Sequence, residues 1–303
     1  MIELNLSGVS MQENFNNLEN HEVFYPLSVD EALNILEKHA CTKYAGGTDL
    51  MVQFRKGKSQ PVDLKFPVIY LSNIEQLHKI SGNKEYLQIG SCCTYSEILQ
   101  SSLVPEVLKD AILTIGSPSI RNSGTLGGNI CNASPAADGV CVLSSLDAKL
   151  VVASKQNERI ISIRDFIKGR RLIDCAENEI VQTILIPKNK IFFSKFEKVG
   201  LRRSMTLSKL SVCLVVVEKN EKKHFQLTFQ AVSPTIIRVA ENEEIISSKF
   251  IDFSLFSNIY RKHFSAIDDQ RSEREYRENT AILLGYKLYK QAYESVFATK
   301  KEL

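Results

Sequence analysis

Between Ile115 and Asp138 the chain runs Ile-Gly-Ser-Pro-Ser-Ile-Arg-Asn-Ser-Gly-Thr-Leu-Gly-Gly-Asn-Ile-Cys-Asn-Ala-Ser-Pro-Ala-Ala-Asp, rich in small residues and almost free of charge. Segments of this composition often serve as flexible linkers. This one is interleaved with Ile115, Ile120, Leu126 and Ile130, which can anchor it to a core. It therefore reads as a loop pinned against the fold. A small-residue loop pinned in this way lets backbone N–H groups approach a ligand closely. A concave row of N–H donors stabilises an anion without a cationic side chain, so a phosphate group is the expected ligand.

A second stretch of the same character precedes it: Ala45-Gly46-Gly47-Thr48-Asp49-Leu50, directly after a short strand at 42–45. Two glycines at a strand end give a sharp turn and remove the Cβ obstruction to a ligand. Thr48 offers a hydroxyl, and Asp49 is placed to cap the next helical turn. Alone, such a turn is common. The dinucleotide fingerprint G-x-G-x-x-G is absent, and no regular βαβ unit surrounds the site.

The 303 residues suggest two domains of ordinary size, and 44% apolar with 24% charged residues suffices for a core. A net charge of +3, with Lys and Arg dispersed, does not imply nucleic acid. No apolar run reaches membrane-span length, and the first residues lack a secretion-signal pattern. Seven cysteines, Cys92 and Cys93 adjacent and the other five scattered, read as reduced thiols in a cytoplasmic protein, mostly small buried hydrophobes. His21, His39, His78, His224 and His263 are isolated, so no metal site is assigned.

Residues 1–20 read as a loose polar tail. Capping-box patterns at Ser28–Glu31 and Thr94–Glu97 open helices, and Val107, Leu108, Ala111, Ile112 and Ile115 follow helical spacing after Pro105. Strands are expected at 68–71, 86–90, 148–154, 159–163 and 180–186. Beyond Lys188-Asn189-Lys190, placed as the domain boundary, come long strands at 192–199, 211–217 and 225–232. Two helices follow, at 255–264 and 275–297, the latter striped by Leu284, Leu288, Ala292 and Val296. Strands followed by helices point to an α+β fold and away from a doubly wound one.

Together, in this order and spacing, the two glycine-rich stretches resemble the FAD-binding (medium) subunit of the molybdenum hydroxylases: xanthine, carbon monoxide and nicotinate dehydrogenases and their relatives. Ser134–Asp138, Leu146–Ala148, Phe196–Gly200 with Arg202-Arg203, and more loosely Asp269–Arg277 extend the match over nearly the whole chain except the tail. The resemblance implies a two-part FAD-binding domain of the vanillyl-alcohol-oxidase (PCMH) type over 21–188. A CO dehydrogenase flavoprotein C-terminal-like α+β domain would follow over 191–303.

By position, Lys43, Tyr44, Ala45, Gly46, Gly47, Thr48, Asp49 and Leu50 would wrap the FAD pyrophosphate, and Thr125, Leu126, Gly127, Gly128 and Asn129 would close on it. Ile115 falls where animal relatives carry an aromatic facing the isoalloxazine ring. Asp138 falls at an acidic flavin-binding position, and Val181 and Lys198 at further flavin contacts. Where many relatives read Ala-x-Asp-Ile-Ala, this chain has Ser204-Met205-Thr206-Leu207-Ser208, which lacks the acid. Nothing resembling a cysteine-rich iron–sulfur insertion is present.

The resemblance also implies partners: an iron–sulfur subunit and a molybdopterin-binding large subunit in a hetero-oligomer. NAD would be the electron acceptor, xanthine or another purine the substrate of the complex, and this chain would carry no catalytic residue of its own. A nicotinate, other heterocycle, aldehyde or CO dehydrogenase, a self-contained flavin oxidoreductase, and a non-catalytic nucleotide-binding module remain alternatives. Residue by residue, simpler roles compete: Asp138 as a helix N-cap, Lys198 as a solvated strand lysine, and Arg121 as a cation satisfying carbonyls at a helix end.

Overall fold

The computed structural model describes residues 22–55, 57, 62, 67–202 and 207–297. The expected tail and Arg203–Thr206 lie outside these residues.

The first layer is a small parallel sheet, ordered β1-β3-β2, from β1 (Val23–Phe24), β2 (Thr42–Tyr44) and β3 (Val68–Tyr70). Helix α1 (Val29–Leu36) turns Ala32, Leu33 and Leu36 onto Ile69, Leu71, Ile74 and Leu77. Its start is half of the expected capping box. Ser28 Oγ accepts the Glu31 N–H at 3.1 Å, but the Glu31 carboxylate takes the N–H of Leu27 at 2.8 Å. A four-residue helix, α2 (Leu50–Gln53), follows β2 after the first glycine turn.

The second layer is an antiparallel sheet, β4-β5-β10-β6-β7, from β4 (Ile80–Gly82), β5 (Tyr86–Gly90), β6 (Lys149–Ala153), β7 (Glu158–Ser162) and β10 (Ile180–Pro187). Its core is completed by helices α3 (Tyr95–Gln100), α4 (Glu106–Leu113), α5 (Pro118–Ser123), α6 (Leu126–Cys131) and α7 (Asp138–Ser145). Thr94 forms the full capping box at α3, with its N–H 2.6 Å from Glu97 Oε2. Short α8 (Ile163–Phe166) leads into a hairpin of β8 (Ile167–Gly169) and β9 (Leu172–Ile173).

The third layer is an antiparallel sheet of β11 (Ile191–Gly200), β12 (Ser208–Lys219) and β13 (Lys222–Gln230). It is backed by α9 (Ala240–Ser248), α10 (Phe253–Arg261) and α11 (Arg274–Phe297). Strand periodicity places alternate β12 residues on opposite faces. Leu210, Val212, Leu214 and Val216 join the core under the C-terminal helices, while Cys213, Val215 and Val217 join the second-layer core. One strand thus fastens the two halves together.

Helix α9 was not expected from the pattern. Its buried residues are Asn242, Glu243 and Ile246, so it has no apolar stripe to read. Glu243 is held there by Arg238, whose Nε lies 2.7 Å from Glu243 Oε1.

Candidate functional site

A cleft of about 650 Å3 opens between the turn after β2 and the segment carrying α5, α6 and the start of α7. This is within the size range of small-molecule sites. All the residues expected at a cofactor line it except Tyr44 and Leu126. Tyr44 packs beneath the turn, its ring 5.6 Å from that of Tyr70. Leu126 is fully buried in the second-layer core. The other fifteen meet in one place although they span residues 43 to 198.

The long charge-poor segment is not one loop. Ser117 caps α5 through the Ile120 N–H, with Pro118 at the first helical position, and Thr125 caps α6 through the Gly128 N–H at 3.0 Å. Arg121 braces the entry, its Nη1 donating to the carbonyls of Ile115 at 3.0 Å and Gly116 at 2.9 Å.

These caps bear on the row of N–H donors expected of this segment, at Leu126, Gly127 and Gly128. Their N–H groups are already used: Leu126 N–H donates to Cys93 O at 3.1 Å, Gly127 N–H to Ser91 O at 3.0 Å, and Gly128 N–H to Thr125. The first stretch differs. Among the described residues, the N–H groups of Gly46, Gly47, Thr48 and Asp49 donate to no protein acceptor. The row of donors suited to an anion therefore lies at Gly46–Asp49.

Nor do the glycines mainly make room for a ligand. A Cβ on Gly46 would stand 1.9 Å from Ser123 O, and one on Gly127 2.5 Å from Ser91 O, so the chain's own backbones need the space. Gly47 has φ +65 and would also strike the Tyr44 ring. Asp49 does not cap α2 with its side chain; its carboxylate accepts from Gln53 Nε2, which also reaches Asn132 Oδ1 at 2.8 Å. Gln53, missed by the sequence reading, ties the two stretches together. Lys43 reaches Ala176 O at 3.1 Å, so β2 also holds the chain leading into β10.

The deepest polar group joins both halves. Lys198 Nζ lies 2.7 Å from Asp138 Oδ2 and 3.1 Å from Thr114 O, and Ser208 Oγ donates to Asp138 Oδ1 at 2.6 Å. Lys198 is thus neither solvated nor a free cation for a ligand; it is buried and paired. Asp138 is the first residue of α7 and not its cap, a place taken by Ala137 without a side-chain bond. A carboxylate in a helix's first turn also suits the helix dipole. Burial and the Asp138 charge push the neighbouring Tyr95 phenol up. Ser208 was missed because nothing in one hydroxyl on a strand marks it.

The donor set fits FAD. Unmatched N–H groups at Gly46–Asp49 suit its diphosphate, and Ile115, Ile180 and Val181 give apolar walls for a flat ring. The family model described as the FAD binding domain in molybdopterin dehydrogenase matches residues 14–189.

The chain belongs to this family.

Its relatives include the glyceraldehyde dehydrogenase medium chain of Sulfolobus acidocaldarius, 28% identical over 87% of this chain and 95% of that protein. The xanthine dehydrogenase FAD-binding subunit of Escherichia coli O157:H7 is 25% identical over 90% and 95% of the two chains. Among solved structures, carbon monoxide dehydrogenase from Hydrogenophaga pseudoflava superposes with a TM-score of 0.78 at 22% identity, covering 92% of this chain and 97% of that one. Quinoline 2-oxidoreductase from Pseudomonas putida 86 gives 0.79 at 20%, over 91% and 98%. These likenesses show the α+β flavoprotein fold expected from the sequence. Among the described residues no helix is long and apolar enough to cross a membrane.

Proposed function

We propose that this chain is the FAD-carrying electron-transfer subunit of a molybdenum hydroxylase, working in the cytoplasm with an iron–sulfur subunit and a molybdopterin-binding large subunit. The observation that carries the reading is the N–H row at Gly46–Asp49, without an acceptor among the described residues, opening on a cleft with apolar walls. When bound, FAD would supply the chemistry of accepting electrons singly and releasing them in pairs. The protein's part is binding, orientation and electrostatics.

In this assignment the N–H groups of Gly46 through Asp49 hold the diphosphate, with Lys43 and Leu50 at its edges. Thr125, Gly127, Gly128 and Asn129 shape the opposite wall by contact, since the N–H groups at the start of their helix already donate to Cys93, Ser91 and Thr125. Ile115 and Val181 flank the ring, and the Asp138–Lys198 pair closes the base of the cleft with charge already balanced. With FAD bound, this site would pass electrons from the iron–sulfur partner on to NAD. The substrate of the whole complex is xanthine or another purine, a reading supported by the E. coli relative. The Sulfolobus relative, similar over most of both chains, supports a second reading in which the substrate is an aldehyde.

The test is an absorption spectrum of the purified chain after incubation with FAD, before and after NADH is added without oxygen. The expected result is a flavin spectrum that NADH bleaches. A flavin spectrum that NADH leaves unchanged removes NAD as the acceptor. A colourless protein removes the cofactor assignment.

A further inference from the structure

We propose that Ser208 is a positioning residue, which by fixing the Asp138 carboxylate sets the charge that the Asp138–Lys198 pair presents to the flavin. The proposal rests on the FAD assignment above. Ser208 is 1% exposed and Asp138 5%, and the Lys198 side chain is 8% exposed. All three line the cleft. They come from three elements: Asp138 opens α7, Lys198 lies on β11 and Ser208 opens β12.

Among the described residues each carboxylate oxygen has one strong donor, Lys198 Nζ on Oδ2 and Ser208 Oγ on Oδ1. A hydroxyl bonded to a carboxylate at 2.6 Å is charge-assisted and draws negative charge from its acceptor. Without it, Oδ1 stays buried but loses this donor, and its charge is less offset. With Lys198 still paired the net charge is unchanged, but a carboxylate oxygen less offset by a donor dipole makes the local potential more negative and opposes the addition of electrons to a nearby redox group, more strongly in a poorly screened cleft. Ser208→Ala should therefore shift the equilibrium of bound FAD toward the oxidised form about tenfold, or about 30 mV for a two-electron couple.

The experiment is an anaerobic spectroelectrochemical titration of the FAD-loaded full-length chain. Wild type is compared with Ser208→Ala, Asp138→Asn, the double variant and Ser208→Cys, which keeps the shape but has a weak donor. The expected result is a lowered midpoint potential for Ser208→Ala with FAD content retained, and no further shift when Ala is added to Asp138→Asn. An unchanged midpoint, or an equal shift in the Asp138→Asn background, overturns the proposal. If Ser208→Ala does not fold, Ser208→Cys decides: a lowered midpoint supports the role, and an unchanged one overturns it. A wild-type chain that takes up no FAD overturns the cofactor assignment and this proposal together. A chain that takes up FAD but is insensitive at Ser208 overturns this proposal alone.

Discussion

The two glycine-rich stretches share a composition and face each other across one cleft, yet they spend their backbone donors differently. At Leu126–Gly128 every N–H finds an acceptor in Cys93, Ser91 or Thr125, so the stretch is a packed helix start. At Gly46–Asp49 the N–H groups find no acceptor among the described residues, and they face the cleft. Gly46 to Thr48 are half-buried and Asp49 is exposed, so these donors are open to solvent and to a ligand alike. Small residues permit close approach; hydrogen-bond partners decide what the approach is for.

The largest effect is expected where the stretches touch. Gly46→Ala sets a Cβ against Ser123 O, so the backbones must separate. We expect a loss of about 3 kcal/mol in stability, from overpacking, together with loss of FAD retention. Thermal melts and flavin content check both. Thr48→Asp should act on the ligand alone. A carboxylate beside the donor row repels a diphosphate, so FAD affinity should fall roughly 100-fold with the melting temperature little changed. Isothermal titration separates the two effects.

Thr125→Ala sharpens the contrast from the other side. It removes the α6 cap, and stability should fall by about 1 kcal/mol while FAD affinity stays within about threefold. A large affinity loss here would mean that the second stretch also donates to the ligand.

The smallest effect is expected far from both stretches, at Asp269. Its carboxyl is raised by partial burial, but the Arg271 N–H and the Arg277 guanidinium outweigh this and hold it at about 2, below its ordinary 3.8. A lowered carboxyl pKa stabilises the fold above the unfolded value, and that contribution disappears as pH falls through the folded value. Acid unfolding of the wild type should steepen between about pH 4 and pH 2, and Asp269→Asn should flatten that limb without changing FAD binding at pH 7. A melt series across this range checks it.

Much of the architecture was legible because its signals are local. Thr94 and Glu97 announce a helix start, Val107 to Ile112 show a helical stripe, and β12 is a run of β-branched and apolar residues. Helix α9 was illegible because its buried face is mostly polar, Asn242 and Glu243 beside Ile246, and their partners, the Ile259 carbonyl for Asn242 and Arg238 for Glu243, are brought in by the fold. The segment from Ile115 looked like a loop because Gly and Ser carry little helical propensity. Its two short helices depend on the caps at Ser117 and Thr125, and α6 depends further on acceptors supplied by Ser91 and Cys93. The position of the cleft could be read from the two glycine stretches. Which of them has donors to spare could not, since that depends on acceptors brought from elsewhere in the chain.

The most direct test is amide hydrogen exchange, read by mass spectrometry, over peptides covering 45–50 and 125–130 with and without FAD. The account predicts fast exchange at Gly46–Asp49 that slows when FAD binds, and slow exchange at Leu126–Gly128 in both states. Fast exchange at Leu126–Gly128 that FAD suppresses, with Gly46–Asp49 indifferent, would contradict it.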